Sequence, residues 1–375
     1  MSATILNISE KVRQDPTAFV SLSDFRTTPA EAVPSHRILQ DPTITLYCLD
    51  DATKQAIFVQ SAPDADLMQH PFFYQAQFEH ARRLFAVSYE TLHQLAAALP
   101  ADKKLLLIYS VGRCGSTLLS QVFDNVEGIL SLSEPDYFTN VVLMRDKNGR
   151  RDAELTQLLQ SAIAIQQKPL PNRHDHTVAI KFRSSGVEIA DLIYAAYPDA
   201  KNLFLYRDAI KRTRSEVRAF NLFAEKPRKM QADVLDRWLH LVPLLAGYQR
   251  KARWGKLSRI EMSALAWLSR MDRYMALFEQ GVPLCAIRYE DMISQPGDVV
   301  SQLFDFCDIP THLAADTLHV FAKDSQAGSS LARTTIDQTV PNELTPKQLN
   351  QIRKLLQRHH TVKTPDHILP GTLNF

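Results

Sequence analysis

Apolar positions along this chain change rhythm near Lys103. Beyond it, short unbroken apolar runs alternate with longer stretches in which apolar residues recur every three or four positions. The runs at 105–109, 129–132, 178–182, 203–206 and 284–288 have the length and composition of strands buried on both faces. The spaced patterns at 117–125, 153–165, 186–196, 209–220, 232–248 and 262–279 read as amphipathic helices between them. Such alternation predicts an α/β fold, a three-layer sandwich with a mainly parallel central sheet. Ligands of these sheets bind beyond the carboxyl ends of the strands, so the residues just after each strand carry the chemistry.

Residues 1–100 have another texture, broken by prolines at 16, 29, 34, 42, 63 and 71. Alternation predicts one hairpin, 44–48 with 56–59, turning through 50–53. Helices are expected at 73–85 and 89–98. This reads as a small α+β module of unassigned role ahead of a larger domain at 101–375.

The first strand of the larger domain runs into Gly112, Arg113, Cys114, Gly115, Ser116 and Thr117, after which a helix begins. Glycines let the backbone approach an anion, and the first amides and the dipole of the helix favour its charge. A loop for nucleoside triphosphates places lysine between its last glycine and its Ser/Thr. Here Ser116 and Thr117 follow Gly115 directly, and the nearest cation is Arg113. The loop is suited to a phosphate-like group without the usual ATP and magnesium chemistry.

Other strand ends add candidates. Glu134 follows the second strand, either as a general base, as a solvated loop acid or as an acid paired with Arg183. Lys181 ends the third. An unpaired buried ammonium is costly, so Lys181 either stabilises charge on a transferring group or sits in a strand-end ion pair. Arg207 follows the fourth strand, with Ser215 eight residues on, among five cations between 207 and 218. A guanidinium fork and a hydroxyl suit a phosphate, although an exposed basic helix face has the same composition. The segment from Arg288 to Met292 reads as a transition into a packing helix. His174, Asp175 and His176 lack further ligands at matched spacing and read as a polar loop, so no metal is expected.

Composition narrows the classes. With 375 residues and 45% hydrophobic positions the chain can bury a large core, and a net charge of +2 is no signature of nucleic-acid binding. No apolar run reaches the roughly 18 residues of a membrane span. The four cysteines, Cys48, Cys114, Cys285 and Cys307, show no metal spacing and are expected to be reduced thiols of a cytoplasmic protein.

These motifs, in this order, resemble the sulfotransferase family, over roughly residues 103–358. Gly112 to Leu119 is similar to the family's 5′-phosphosulfate loop. The segment from Tyr197 to Asp208, with Ser215, is similar to its 3′-phosphate segment. Arg288-Tyr289-Glu290-Asp291-Met292 with Pro296 is close to its Arg-Tyr-Glu-Asp-Leu motif, and Trp267 lies on the preceding helix as in the family. The resemblance implies a P-loop NTPase-like fold and 3′-phosphoadenosine 5′-phosphosulfate (PAPS) as donor, with no metal. It also implies that Arg207 and Ser215 hold the 3′-phosphate, and that Ser325, Ser329 and Arg333 lie in a late nucleotide-contacting loop. The catalytic histidine of many cytosolic members has no counterpart after the third strand, where the chain reads Lys181-Phe182-Arg183. Other branches carry a glutamate after the second strand, which fits Glu134, and a strand-end lysine, which fits Lys181. Glu134, Lys181 and Ser116 are then the catalytic set, acting on a small or carrier-bound hydroxyl or amine acceptor. A pocket for it would draw on loops and on residues about 221–260; Phe220, just before them, and Phe223, Trp238, Leu241 and Trp254 within them read rather as core. The competing reading is a non-catalytic or nucleotide-kinase-like P-loop protein that binds an adenine nucleotide. The oligomeric state is open.

Overall fold

The computed structural model describes residues 1–100, 102–170, 173–220, 232–336 and 343–374. The chain folds into two units. The first comprises Met1–Leu106, Phe123–Phe182 and Ile189–Ala200, and the second Leu107–Val122, Arg183–Glu188 and Lys201–Phe375.

The first unit contains an antiparallel sheet of β1 (Ser2–Lys11), β2 (Phe25–Pro34), β3 (Ile44–Asp50), β4 (Gln55–Ser61) and β5 (Ala81–Ser88), in the order β2-β1-β5-β4-β3. The expected hairpin is β3–β4, with Ile44 opposite Gln60 and Leu46 opposite Phe58. The helix expected over 73–85 stops at His80, and the chain continues as β5, paired with both β1 and β4. Leu84, Phe85, Ala86 and Val87 are consecutive and all buried, as in a central strand covered on both faces. β1 and β2 were not expected. β2 is polar, largely exposed and carries Pro29 and Pro34, which an edge strand tolerates.

Two polar devices fasten this sheet to later segments of the same unit. Asn140, on the helix Tyr137–Met144, accepts from the Leu49 N–H at 3.0 Å and donates to the Val20 carbonyl at 3.0 Å. Lys168 is buried, and its ammonium donates to the carbonyls of Ile38 (3.0 Å), Asp41 (2.7 Å) and Ile44 (2.5 Å). One cation thereby satisfies three backbone acceptors where the chain enters β3.

The second sheet contains β6 (Lys104–Ser110), β7 (Ile129–Ser133), β8 (Thr177–Lys181), β9 (Lys201–Tyr206) and β10 (Leu284–Arg288), in the order β10-β9-β6-β8-β7. β7 pairs with β8, and β9 with β10, in parallel. All five were legible as apolar runs, and with the helices between them they make the expected α/β architecture. The 232–248 helix divides into Ala232–Leu241 and a 3₁₀ segment Pro243–Tyr248, because proline lacks the N–H that a continuing helix needs. The helix expected from 186 begins as a 3₁₀ turn, Ser184–Ile189, and becomes α-helical only at Ala190–Ala196. Phe220 and Trp254, read as core, are 41% and 60% exposed, whereas Leu241 is buried; Phe223 lies outside the described residues. Among the described residues no helix is long and apolar enough to cross a membrane.

Burial holds the Lys168 ammonium down, to about 8 from its ordinary 10.5. Between those values the unfolded chain binds a proton that the folded chain does not, so this site destabilises least at high pH. Urea midpoints of wild type and Lys168→Met should therefore diverge in favour of wild type between pH 8 and 10. A difference independent of pH would contradict the burial argument.

Candidate anion-binding site

The loop after β6 is left-handed at three positions: Gly112 (φ +74°), Arg113 (φ +55°) and Gly115 (φ +82°). Glycine suits the first and third. A Cβ on Gly115 would also lie 2.9 Å from the Tyr289 ring and 2.7 Å from Met292 Cε, so any other residue would force these side chains to shift. Arg113 holds the conformation with a side chain, at a cost of about 1–3 kcal/mol that surrounding contacts must offset. Those contacts are present. The Val111 N–H and the Cys114 thiol both donate to the Leu205 carbonyl, at 3.0 and 3.3 Å, tying the loop to the end of β9. Gly115 then leads into the helix Ser116–Asp124, where the Leu119 N–H closes the first turn on the Gly115 carbonyl at 3.0 Å. Ser116 is buried, with its hydroxyl 3.4 Å from that of Ser110.

Arg113, Arg207 and Ser215 come together in the second unit. Arg207 Nη1 donates to the Arg113 carbonyl at 3.2 Å, and Arg113 Nε to Ser215 Oγ at 3.3 Å. Two groups fix Arg207. The Trp267 indole N–H donates to its carbonyl at 2.9 Å, and its guanidinium stacks over the Tyr289 ring at 4.3 Å. Arg207 Nε is buried without a partner. Burial, and then the charges of Arg212 and Arg207, push the Arg113 guanidinium below its ordinary value, while Glu216 opposes them. Three guanidiniums around a left-handed loop, one with an unused buried donor, form a site deficient in negative charge.

Arg212 was hidden in the basic run on the helix Ala209–Ala219. It is 2% exposed and donates to the Val111 carbonyl at 3.2 Å, to the Ser263 carbonyl at 3.0 Å and to Ser263 Oγ at 2.9 Å. It also forms a two-pronged pair with Glu216, whose carboxylate accepts from Ser263 as well. Its neighbours on the helix, Lys211 and Arg214, are far more exposed. The three-to-four spacing of buried positions is the signal that could have separated Arg212 from them. Tyr289, read as part of a structural transition, is the platform under Arg207.

The late loop divides. Gln121 donates to the Ser325 carbonyl at 3.2 Å, and Gln326 to Thr117 Oγ1 at 3.2 Å, which brings this segment to the helix that opens at Ser116. Ser329 is buried with its hydroxyl on the Gln326 carbonyl, a local turn contact. The Arg333 side chain is 79% exposed and lies 3.9 Å from Asp324.

In the first unit, Lys181 and Glu134 form an ion pair, and the Glu134 N–H donates to the Lys181 carbonyl at 2.7 Å. Lys181 is 2% exposed, with its ammonium 5.4 Å from the centre of the Phe72 ring. Glu134 is left-handed (φ +60°), a second strained position beside a candidate residue. His174, Asp175 and His176 form a polar loop: Asp175 pairs with Arg173, and His176 covers Gly128. Asp272, His359 and His360 also gather in the second unit. His359 Nδ1 accepts from the Thr361 and Val362 N–H groups (3.3 and 3.0 Å), which leaves the proton on Nε2, facing Asp272. That tautomer offers no lone pair to a metal.

No protein-family model matches the chain, and no curated protein does. Among solved structures it is similar to a sulfotransferase from Alicyclobacillus acidocaldarius (15% identity, 68% of this chain and 92% of that one, TM-score 0.37). It is also similar to sulfotransferase STF9 from Mycobacterium avium (14%, 72% and 79%, TM-score 0.40). A third is retinol dehydratase in complex with androsterone and the inactive cofactor PAP (12%, 76% and 88%, TM-score 0.33). These likenesses are loose, and no residue takes a role from them.

Gly115→Ala should cost more than the backbone penalty alone, because the added methyl meets Tyr289. Gly281 has the same φ of +82° with nothing within 4 Å, so Gly281→Ala isolates that penalty. In urea, Gly281→Ala should lose about 1 kcal/mol and Gly115→Ala roughly 1–3 kcal/mol beyond it. Equal losses would contradict the close approach of Tyr289.

Proposed function

We propose that this protein is a sulfotransferase that moves a sulfuryl group from PAPS to a hydroxyl or amine. The observation that carries the reading is the meeting of Arg207 and Ser215 with Arg113 of the glycine loop. A 3′-phosphate and a 5′-phosphosulfate are the two anionic groups that distinguish this donor from ATP, and each has its own set of donors here.

The residues present suit that donor. The Arg207 Nε proton, buried without a partner, and the Ser215 hydroxyl suit the 3′-phosphate. The amides from Gly115 to Thr117, at a helix start, suit the 5′ group, with Arg113 adding charge. When bound, the donor supplies an activated sulfuryl group whose leaving group is adenosine 3′,5′-bisphosphate. The acceptor oxygen or nitrogen forms a bond to sulfur as the bridging S–O bond breaks, and the acceptor's proton goes to Glu134. Ser116 donates to the bridging oxygen, and Lys181 offsets its growing negative charge. Glu134 stays paired with Lys181 until lysine's charge is drawn to the leaving group. Positioning and electrostatics do most of the work, as in phosphoryl transfer. The pocket for the acceptor and the division of the chain at residue 100 belong to this same proposal.

Calorimetry distinguishes this reading from an ATP-binding one. Adenosine 3′,5′-bisphosphate should bind without metal, more tightly than adenosine 5′-phosphate and more tightly than ATP with magnesium. Arg207→Ala should cost about 10- to 100-fold in bisphosphate affinity, the worth of a charged hydrogen bond, and leave adenosine 5′-phosphate unaffected. Stronger binding of ATP with magnesium would overturn the reading. In turnover, Lys181→Ala should lower kcat by roughly 10²–10³ with little change in bisphosphate affinity. A variant with full activity would remove Lys181 from the mechanism.

A further inference from the structure

β10 stands at one end of the strand order of the second sheet, and an uncovered edge leaves backbone donors and acceptors without partners. Residues 365–373 lie along that edge. Ala286, in the middle of β10, donates its N–H to the Gly371 carbonyl at 3.0 Å and accepts from the Leu373 N–H at 3.0 Å, a parallel bridge centred on Thr372. Gly371 is left-handed (φ +70°), and a Cβ on it would lie 3.1 Å from the Leu284 carbonyl oxygen and 3.1 Å from the Phe278 ring. Glycine is what lets the segment lie this close. The Tyr274 hydroxyl donates to the Pro370 carbonyl at 2.6 Å, and Leu369 is buried.

The same segment reaches the chain on both sides of Arg207. Before it, the Tyr206 hydroxyl lies 2.9 Å from Thr372 Oγ1. Thr372 gives its own proton to the Leu369 carbonyl at 2.6 Å, so Tyr206 is the donor. After it, the Ala209 N–H, at a helix start where no intrahelical acceptor exists, donates to the Pro365 carbonyl at 2.8 Å. Arg207 thus sits between two residues fixed to one segment, while its guanidinium lies over Tyr289, the residue that follows β10. The segment bridges the two strand ends on which the guanidinium and its aromatic platform stand.

We propose that residues 365–373 form a strap that positions Arg207 for a 3′-phosphate, with Thr372 as the positioning residue that fastens it to Tyr206. The identity of the anion rests on the donor reading, whereas the strap stands on the contacts of Tyr206, Ala209 and Ala286. By linkage, whatever the strap adds to the affinity for the bisphosphate, the bisphosphate adds to the docking of the strap.

Calorimetry and amide hydrogen exchange on the full chain test this. Thr372→Val should weaken binding of adenosine 3′,5′-bisphosphate roughly 3- to 10-fold, the net effect of one hydrogen bond, and leave adenosine 5′-phosphate unaffected. Thr372→Ser keeps the hydroxyl and should retain wild-type affinity for both. Tyr206→Phe removes the same bond from its other end and should match Thr372→Val, and the double variant should lose no more than either alone. In wild type the bisphosphate, but not the 5′-phosphate, should slow exchange of the Ala286 and Leu373 amides. Equal losses for the two nucleotides, or no loss in either single variant, would overturn the proposal. Should Thr372→Val fail to fold, Tyr206→Phe decides by itself. A wild type that binds the bisphosphate no more tightly than the 5′-phosphate would count against the donor reading instead. Exchange in the free protein then decides on the strap: the Ala209 amide should exchange faster in Thr372→Val and Tyr206→Phe than in wild type, and unchanged rates would overturn it.

Discussion

Arg113, Arg207 and Arg212 repel one another, and the second unit is organised around containing that repulsion. Glu216 offsets one charge and is itself held by Ser263. Tyr289 presents its ring face to a second guanidinium, and the backbone carbonyls of Val111, Arg113 and Ser263 accept from the cluster. What is left is a net positive region at a strand-to-helix turn, with a donor on Arg207 still unused. A protein that keeps such an arrangement gives up stability in the free state and recovers it when an anion arrives. The left-handed backbone of Gly112, Arg113 and Gly115 belongs to the same design, since it turns the chain tightly enough to bring Arg113 to Arg207 and Ser215.

Much of this was legible in the sequence. The strands of the second sheet are apolar runs because both faces are covered, and Arg207, just after β9, and Ser215, about two turns into the helix Ala209–Ala219, both reach Arg113. Arg212 was missed, although its place in the three-to-four spacing with Ala209 could have marked it. In a run of five cations nothing in the composition marks the one that turns inward, and its partners Val111 and Ser263 are remote in sequence. Tyr289 was likewise named but not understood, because stacking under a guanidinium depends on the approach of β9 and β10.

In the first unit, long-range pairing defeated the reading. β5 continues a helix without a glycine or proline break and becomes a strand only because β1 and β4 offer edges on either side. Local propensity cannot report that. The choice left open for Glu134 and Lys181, ion pair or working group, is joined by the structure: the two residues pair with each other. Glu134 and Arg113 are two of the four non-glycine residues with left-handed backbone among those described, the others being Lys54 and Asp308. Strain that coincides with a candidate residue in each unit is the pattern of sites in which geometry is maintained against local preference.

The central claim is that one cradle holds adenosine by two phosphates. A crystal structure with adenosine 3′,5′-bisphosphate tests it most directly. The account predicts the 3′-phosphate within hydrogen-bond distance of Arg207 and Ser215, and the 5′-phosphate on the amides of Gly115, Ser116 and Thr117. A nucleotide bound elsewhere, or one whose 3′-phosphate points to solvent with Arg207 still stacked on Tyr289 and unengaged, would contradict it.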